Sequence, residues 1–183
     1  IVKRRDLSGS WYVFSAAIGA TQYSATNAQD GFLPSSTAWN NTAPTATVFS
    51  GNSAWWTNPS TSRMIAYCFA EVAGFSKFGS YTGNNSADGP FIYTGFRPKF
   101  VMIKCSSTTG DWVMLDTSRS PYNGEQLYIY ADASSAETGS FDVIDGLSNG
   151  FKIRNTWAQI NTSGATYIYA AFAENPFKYA NAR

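Results

Sequence analysis

A set of residues that occurs twice constrains the fold of this 183-residue chain more than any other feature. Lys3, Gly9 and Trp11 each recur, as the same residue types, 101 positions further along the chain. In both places an apolar run ends at the lysine, a polar loop holds the glycine, and a second apolar run begins at the tryptophan. This order is typical of a β-hairpin, and the glycine is expected at a positive φ angle. The chain is therefore predicted to use one supersecondary unit twice.

A second match, between residues 63–71 and 166–174, lies at an offset of 103 positions. Isoleucine, phenylalanine, alanine and glutamate coincide, and Cys68 is aligned with an alanine. We therefore interpret Cys68 as a small core residue and not as half of a disulfide. Because one match opens a unit and the other closes it, the sequence predicts two β repeats, at residues 1–72 and 73–183.

The first repeat is predicted to differ from the second in two ways. The second repeat has strand-like runs at residues 75–81 and 91–93 before the strand near Met102, and the first repeat has no counterpart of them. We therefore expect the first repeat to be N-terminally incomplete. It also carries a segment of its own, about residues 20–57, that is rich in Ser, Thr, Asn and Ala. Polar sequence of this kind with isolated tryptophans is typical of long surface loops.

Composition and periodicity predict an all-β chain. Aromatic residues make up 16% of the chain, and charged residues make up 14%, well below the roughly 25% of average soluble domains. Apolar and polar residues alternate in short runs, whereas no stretch has the apolar spacing of an amphipathic helix. The predicted fold class is an antiparallel β-sandwich built from two related repeats with long loops. Strands are expected near residues 11–14, 64–70, 100–105, 112–115, 150–154 and 166–172.

The residue types present argue against several classes of function. The chain has no histidine, which removes Ser-His-Asp and Cys-His nucleophile systems and the usual zinc ligands. Its net charge of +1 gives no electrostatic footprint for nucleic acid. No run approaches the roughly 20 apolar residues of a membrane span, and no phosphate-binding glycine loop is present. We therefore expect a protein that is not an enzyme, with no catalytic residues, metal site, cofactor, nucleic-acid partner or membrane insertion.

Carboxylates leave one catalytic alternative open, because a glycosidase requires only two of them. Structural roles are the preferred interpretation, since one of the candidates precedes a glycine in a turn signature and another ends a strand in both repeats. The candidate carboxylates are Asp111, Asp116, Asp142, Asp145 and Glu174.

Aromatic residues flanked by amides form the candidate ligand site. Trp55 and Trp56 stand between Asn52 and Asn58, and Trp39 precedes two further asparagines. Indole rings stack on the C–H face of a sugar, while amides and hydroxyls bond its hydroxyl groups. The alternative interpretation is that one of the paired tryptophans packs inward and the other fills a subunit interface.

Several segments together resemble a domain of unknown function found in structural proteins of tailed bacteriophages and prophages. They are Gly-Phe-Arg-Pro-Lys-Phe-Val-Met-Ile-Lys at residues 95–104, Gly-Asp-Trp at 110–112, Leu-Ser-Asn-Gly-Phe at 147–151 and Ala-Phe-Ala-Glu-Asn-Pro-Phe at 171–177. The resemblance is dense from about residue 64 onward and thinner before it. It implies a virion protein of β-sandwich type, and it carries over no catalytic residues.

The expected function is that of a non-enzymatic virion structural protein, in a tail fibre or another surface appendage, with a role in contacting host glycans. Its location would be the virion, outside the cell. Its partners would be other virion proteins and further copies of itself, with a trimer favoured, because uncharged surfaces suit burial between subunits. Two alternatives remain open: a free carbohydrate-binding, lectin-like module, and a capsid-decorating or filament-forming subunit whose neighbours supply the missing strand.

Overall fold

The computed structural model describes residues 1–53, 57–120 and 122–175 and contains two compact units, one at Ile1–Phe69 and the other beginning at Ala70. The first unit has one antiparallel sheet, in the order β4-β3-β2-β1-β5. Its strands are β1 (Val2–Arg4), β2 (Trp11–Val13), β3 (Gln22–Ala25), β4 (Leu33–Pro34) and β5 (Met64–Ala66).

Trp39 anchors the core of the first unit. It is 3% exposed and clusters with Val2 and Ala38, and its indole N–H donates to the carbonyl of Gln22 in β3 at 3.0 Å. The ring also meets Phe14 edge-on, with 5.7 Å between ring centroids. The expectation that residues 20–57 form only surface loops is therefore wrong, since this segment contributes two strands and the main core side chain of the unit.

The second unit has two sheets, in the orders β10-β9-β8-β13-β6 and β11-β12-β7. It also contains a helix of four residues, α1 (Ala158–Asn161). The strands are β6 (Ser76–Thr82), β7 (Phe91–Tyr93), β8 (Pro98–Cys105), β9 (Trp112–Asp116), β10 (Tyr128–Tyr130), β11 (Ile144–Leu147), β12 (Gly150–Ile153) and β13 (Thr166–Ala173).

The two sheets of the second unit pack face to face around one apolar core. Phe151 of the smaller sheet meets Tyr169 of the larger sheet edge-on, at 5.5 Å between ring centroids. Ile103 and Ile153 are fully buried in the same cluster. Alternation of inward apolar and outward polar side chains produces this arrangement. The predicted all-β, antiparallel, sandwich-type fold is confirmed, and among the described residues no helix has the length and apolarity needed to cross a bilayer.

The strand ladders of the two units share one register. Lys3 of β1 pairs with Trp11 of β2 on one side and with Ile65 of β5 on the other. Lys104 of β8 pairs in the same way with Trp112 of β9 and with Ile168 of β13. These two partners lie 101 and 103 positions beyond Trp11 and Ile65. Strands β1, β2 and β5 are therefore the counterparts of β8, β9 and β13.

A fourth strand also has a counterpart. The amide of Thr26, after β3, donates to the carbonyl of Trp11 at 3.0 Å, and the amide of Ala131, after β10, donates to the carbonyl of Trp112 at 3.0 Å. Strand β3 therefore has the place of β10. The expectation that the whole of residues 20–57 lacks a match in the second repeat is wrong.

Two further expectations are corrected. Cys68 is exposed and not a core residue, because the strand predicted at residues 64–70 ends at Ala66. Gly9 and Gly110 do not have positive φ angles. Their carbonyls instead accept hydrogen bonds from Lys3 and Lys104.

Candidate functional site

A shallow pocket of about 170 Å³ opens on the first unit beside strands β2 and β3. Backbone pairing between the two strands, with Tyr12 opposite Ala25, places their aromatic side chains next to each other. The volume is below the roughly 300–1,000 Å³ of pockets that enclose drug-sized ligands. The pocket therefore suits one small ring or a single polar group. It is lined mainly by Ser10, Tyr12, Tyr23, Ser24, Asp30 and Leu33.

Two tyrosine rings form the aromatic part of this pocket. Tyr12 and Tyr23 meet edge-on, with 5.9 Å between ring centroids, and both are half-buried. Burial raises the pKa of Tyr23, and the neighbouring Tyr12 and the carboxylate of Asp30 raise it further. The Tyr23 hydroxyl is therefore neutral at physiological pH and acts both as a donor and as an acceptor of hydrogen bonds.

Polar groups surround the two rings. Asp30 is exposed at the pocket, and its backbone carbonyl accepts a hydrogen bond from the Ser24 hydroxyl at 3.5 Å. The Ser10 hydroxyl accepts a hydrogen bond from the side-chain amide of Asn27 at 3.3 Å. An aromatic face beside a carboxylate and hydroxyls is suited to a ligand with both C–H and O–H groups.

Three of the five residues predicted from the sequence to bind a glycan, Trp39, Asn52 and Asn58, lie in the described part of the chain. Trp39 is 3% exposed, so its ring has no free face for a sugar, and its assignment to a glycan site is wrong. Trp55 and Trp56 lie outside the described residues. Asn52 donates to the side-chain oxygen of Asn40 at 3.3 Å. Asn58 is exposed.

The sequence contains a weak signal for the residues of the pocket. Tyr12 belongs to a predicted hairpin strand, and the structure places it in one. Tyr23 belongs to the segment that we interpreted as loop. Strand β3 is four residues long, with its tyrosine between polar neighbours and a turn on either side. A short aromatic run between turn residues is a signal for a strand of this kind.

The carboxylates of the second unit have structural partners. The side-chain amide of Gln159 donates to Asp111 at 2.5 Å, and that of Gln126 donates to Asp142 at 2.8 Å. The amide of Ser118 donates to Asp116 at 2.8 Å. Two ion pairs involve the remaining candidates: Arg154 with Asp145 at 3.2 Å, and Arg97 with Glu174 at 3.3 Å. Within the described ranges, no three His, Cys, Asp or Glu side chains are grouped so as to hold a metal ion.

Glu125 is the most deeply buried acid of the second unit. Its side chain is 1% exposed, and burial raises the pKa of its carboxyl group, an effect that the Ser120 hydroxyl partly opposes. Its backbone forms an isolated antiparallel bridge opposite Ile144. The N–H of Glu125 donates to the carbonyl of Ile144, and the N–H of Val143 donates to the carbonyl of Glu125, each at 2.8 Å.

The fold and the pocket define an all-β protein of the sandwich type, with one strand ladder used twice. The chain belongs to the family described as a domain of unknown function (DUF7483), which matches residues 1–176 and so spans both units. No curated protein and no solved structure matches the chain.

Proposed function

We propose that this chain is a non-enzymatic structural module of a bacteriophage virion, in a tail fibre or a similar surface appendage, and that its first unit contacts a glycan on the host surface. The resemblance of residues 95–104 and 171–177 to phage structural proteins supports the virion part of the proposal. The low charge of the chain, 14% of residues, supports assembly with other virion proteins and with copies of itself, a trimer being favoured.

The pocket beside β2 and β3 carries the glycan part of the proposal. The rings of Tyr12 and Tyr23 offer an apolar surface to the C–H face of one sugar ring. The exposed carboxylate of Asp30 then accepts hydrogen bonds from sugar hydroxyls, and the Ser10 hydroxyl adds a further polar contact. The volume of the pocket limits contact to one sugar of a longer glycan.

Saturation-transfer NMR with glucose, galactose and N-acetylglucosamine tests this contact. Asp30→Ala is expected to weaken binding of the sugar that binds best by about tenfold or more, since a hydrogen bond to a charged group contributes roughly 1.5–3 kcal/mol. Tyr23→Phe removes the hydroxyl and keeps the ring, and it should weaken binding less. Ser53→Ala, at an exposed position of the same unit outside the pocket lining, is the matched control. Unchanged binding in Asp30→Ala would contradict the assignment of the pocket.

Immunogold electron microscopy of purified particles tests the location. Virions of the phage or prophage that encodes the chain should carry label on a tail fibre or another tail appendage. Label on the head surface would support the capsid-decorating alternative. A protein that binds sugars but is absent from particles would support the lectin-like alternative.

A further inference from the structure

Strand β7 differs from the other edge strands of the second unit, because no described residue covers its outer side. Each of the other three has a short bridge there, which joins Ser76 of β6 to Val72, Ile144 of β11 to Glu125 and Tyr128 of β10 to Thr138. Strand β7 pairs with β12 on one side, and in the part of the chain that the structure describes no residue forms a bridge on the other. An edge left open in this way presents unpaired backbone N–H and C=O groups to another strand.

The direction of the backbone identifies which groups of β7 face the open edge. The carbonyl of Pro90, just before the strand, accepts the amide of Ile153 at 3.0 Å, on the β12 side. Neighbouring residues of a strand direct their backbone groups to opposite sides. The N–H and C=O groups of Phe91 and Tyr93 therefore point away from β12, towards the open edge.

The side chains of β7 are apolar on both faces of the sheet. Ile92 is 5% exposed and belongs to the core, whereas Phe91 is 46% exposed and Tyr93 is 64% exposed on the outer face. Charged side chains usually protect an open edge against pairing, and β7 has none. Lys152, which pairs with Phe91 from β12, forms an ion pair with Asp88 at 2.6 Å, so its charge is balanced.

The sequence of β7 is complementary to itself, which indicates the occupant. In an antiparallel pair of two β7 strands with a two-fold axis at Ile92, Phe91 of each copy lies opposite Tyr93 of the other. These are the residues whose backbone groups face the open edge, so each Phe91–Tyr93 pair exchanges both of its N–H···O bonds. Opposed aromatic side chains also stabilise strand pairing. Because the charge of Lys152 is balanced within each copy, like-charge repulsion does not oppose the contact.

We propose that β7 of one copy of this chain pairs with β7 of a second copy, in an antiparallel register centred on Ile92, and so joins the two three-stranded sheets into one. Main-chain hydrogen bonds supply affinity, and the Phe91–Tyr93 pairs fix the register. The contact is isologous and joins copies in twos; in an assembly that also has a three-fold axis it joins two trimers. The inference goes beyond the glycan contact and the virion location, and either can fail without the other.

Tyr93→Pro in the full chain tests the backbone part of the proposal. Proline removes an N–H that faces the open edge and keeps the hydrogen bonds to β12, so an edge strand tolerates it. Tyr93→Thr removes the ring but keeps the N–H and suits a strand. Tyr122→Thr, at a tyrosine of the same unit that is 85% exposed and lies outside β7, is the matched control.

Sedimentation velocity of the full chain, from about 1 μM to 1 mM, measures the association. The natural chain and Tyr122→Thr should associate alike. Tyr93→Pro should raise the dissociation constant about tenfold or more, since it loses a main-chain hydrogen bond at each end of the contact, and Tyr93→Thr should raise it less. A natural chain that stays monomeric throughout, or unimpaired association of a Tyr93→Pro chain with a native circular-dichroism spectrum, would overturn the proposal.

Disulfide cross-linking tests the register, in a Cys68→Ser background because Cys68 is exposed. A mixture of Phe91→Cys and Tyr93→Cys chains should form a linked dimer on oxidation, since opposed residues have Cα atoms about 5.5 Å apart, within reach of a disulfide. Either chain alone should cross-link far less, because its two cysteines are diagonal neighbours about 7–8 Å apart. Equal cross-linking in the mixture and in the single chains, or an associating mixture without cross-links, would show that a different surface or register joins the copies.

Discussion

Asn27 and Asp132 have the same role in the two units. The side-chain oxygen of Asn27 accepts the backbone N–H of Trp11 at 3.0 Å, and that of Asp132 accepts the backbone N–H of Trp112 at 3.0 Å. The side-chain amide of Asn27 also donates to Ser10, whereas the side-chain carboxylate of Asp132 has no N–H to donate. The second unit therefore has a carboxylate where the first unit has an amide.

Asp132→Asn is expected to stabilise the protein at pH 7 by about 0.5–1.5 kcal/mol, the usual contribution of a hydrogen bond. Burial raises the pKa of Asp132 in the folded protein, and the carboxylate of Asp111 raises it further. The folded state therefore binds this proton more tightly than the unfolded state does, and stability falls as the pH rises from about 3.9, the ordinary pKa of aspartate, through the raised pKa.

Urea denaturation at pH 4 and pH 7 measures this effect. The advantage of Asp132→Asn over the natural chain should be larger at pH 7 than at pH 4. The reverse substitution, Asn27→Asp, should destabilise the protein at pH 7. An Asp132→Asn variant that is less stable at both pH values would contradict the explanation.

Trp112→Ala is expected to cost about 3–5 kcal/mol of stability, as the truncation of a buried aromatic residue does. Trp112 is 3% exposed, and the ammonium of Lys104, which is fully buried, lies 6.0 Å from its ring centroid. Trp11→Ala is the matched comparison, since Trp11 has the same place in the ladder but is only half-buried. Its loss of stability in urea denaturation should be clearly smaller. Equal losses would show that burial does not determine the contribution of this ring.

Gly150→Ala should destabilise the sandwich by roughly 1–3 kcal/mol or more, because a methyl group there requires the backbone to move. A Cβ atom on Gly150 would lie 2.1 Å from the carbonyl oxygen of Ile92 in β7. Gly9→Ala is the control, since nothing lies within 4 Å of a Cβ atom there. That change should stay within about 0.5 kcal/mol. Thermal denaturation of both variants measures the difference, and similar melting temperatures would contradict it.

Tyr167→Phe should cost about 1–3 kcal/mol, because it removes two hydrogen bonds that contribute about 0.5–1.5 kcal/mol each. The hydroxyl of Tyr167 donates to the carbonyl of Ala158 at 2.7 Å and accepts the amide of Thr162 at 2.8 Å. The hydroxyl thus links the two ends of α1, and the stacking of the ring on Tyr81 is retained in the variant. Amide hydrogen exchange at Thr162 should become faster. Unchanged protection of that amide would show that another group takes over the bond.

The strands and the repeat could be predicted from the sequence because their signals are local. Trp11, Trp112 and the residues around them alternate in strand-like runs, and the structure places them in β2 and β9. The lysine and the glycine also recur in equivalent places, but the glycine does not recur for the reason expected from the sequence. In the first unit the ammonium of Lys3 donates to the carbonyl of Gly9 at 2.5 Å. The glycine recurs with this hydrogen bond and not with a positive φ angle.

The match between β3 and β10 could not be predicted, because the number of residues between the tryptophan and this strand differs between the two units. No recurring side chain in the strand shows where the difference arises. Asn27 lies 16 residues beyond its tryptophan, whereas Asp132 lies 20 residues beyond its own. Apart from this side chain, β3 and β10 share only their backbone hydrogen bonds, which any residue type can make. The burial of Trp39 could not be predicted for a related reason: the asparagines that follow it in sequence favour exposure, and Val2 and Phe14, which pack with it, are distant in sequence.

The position of β13 in its sheet has a consequence during translation. It lies between β8 and β6, and it is the last of these three strands to leave the ribosome. Ser76 of β6 pairs with Phe172, so β6 has no partner until about 90 further residues have been added. At synthesis rates of about 5–20 residues per second this delay is roughly 5–20 seconds, while the β8–β9 hairpin can already form. We expect the nascent chain to present β6 to chaperones or to neighbouring nascent chains throughout that interval.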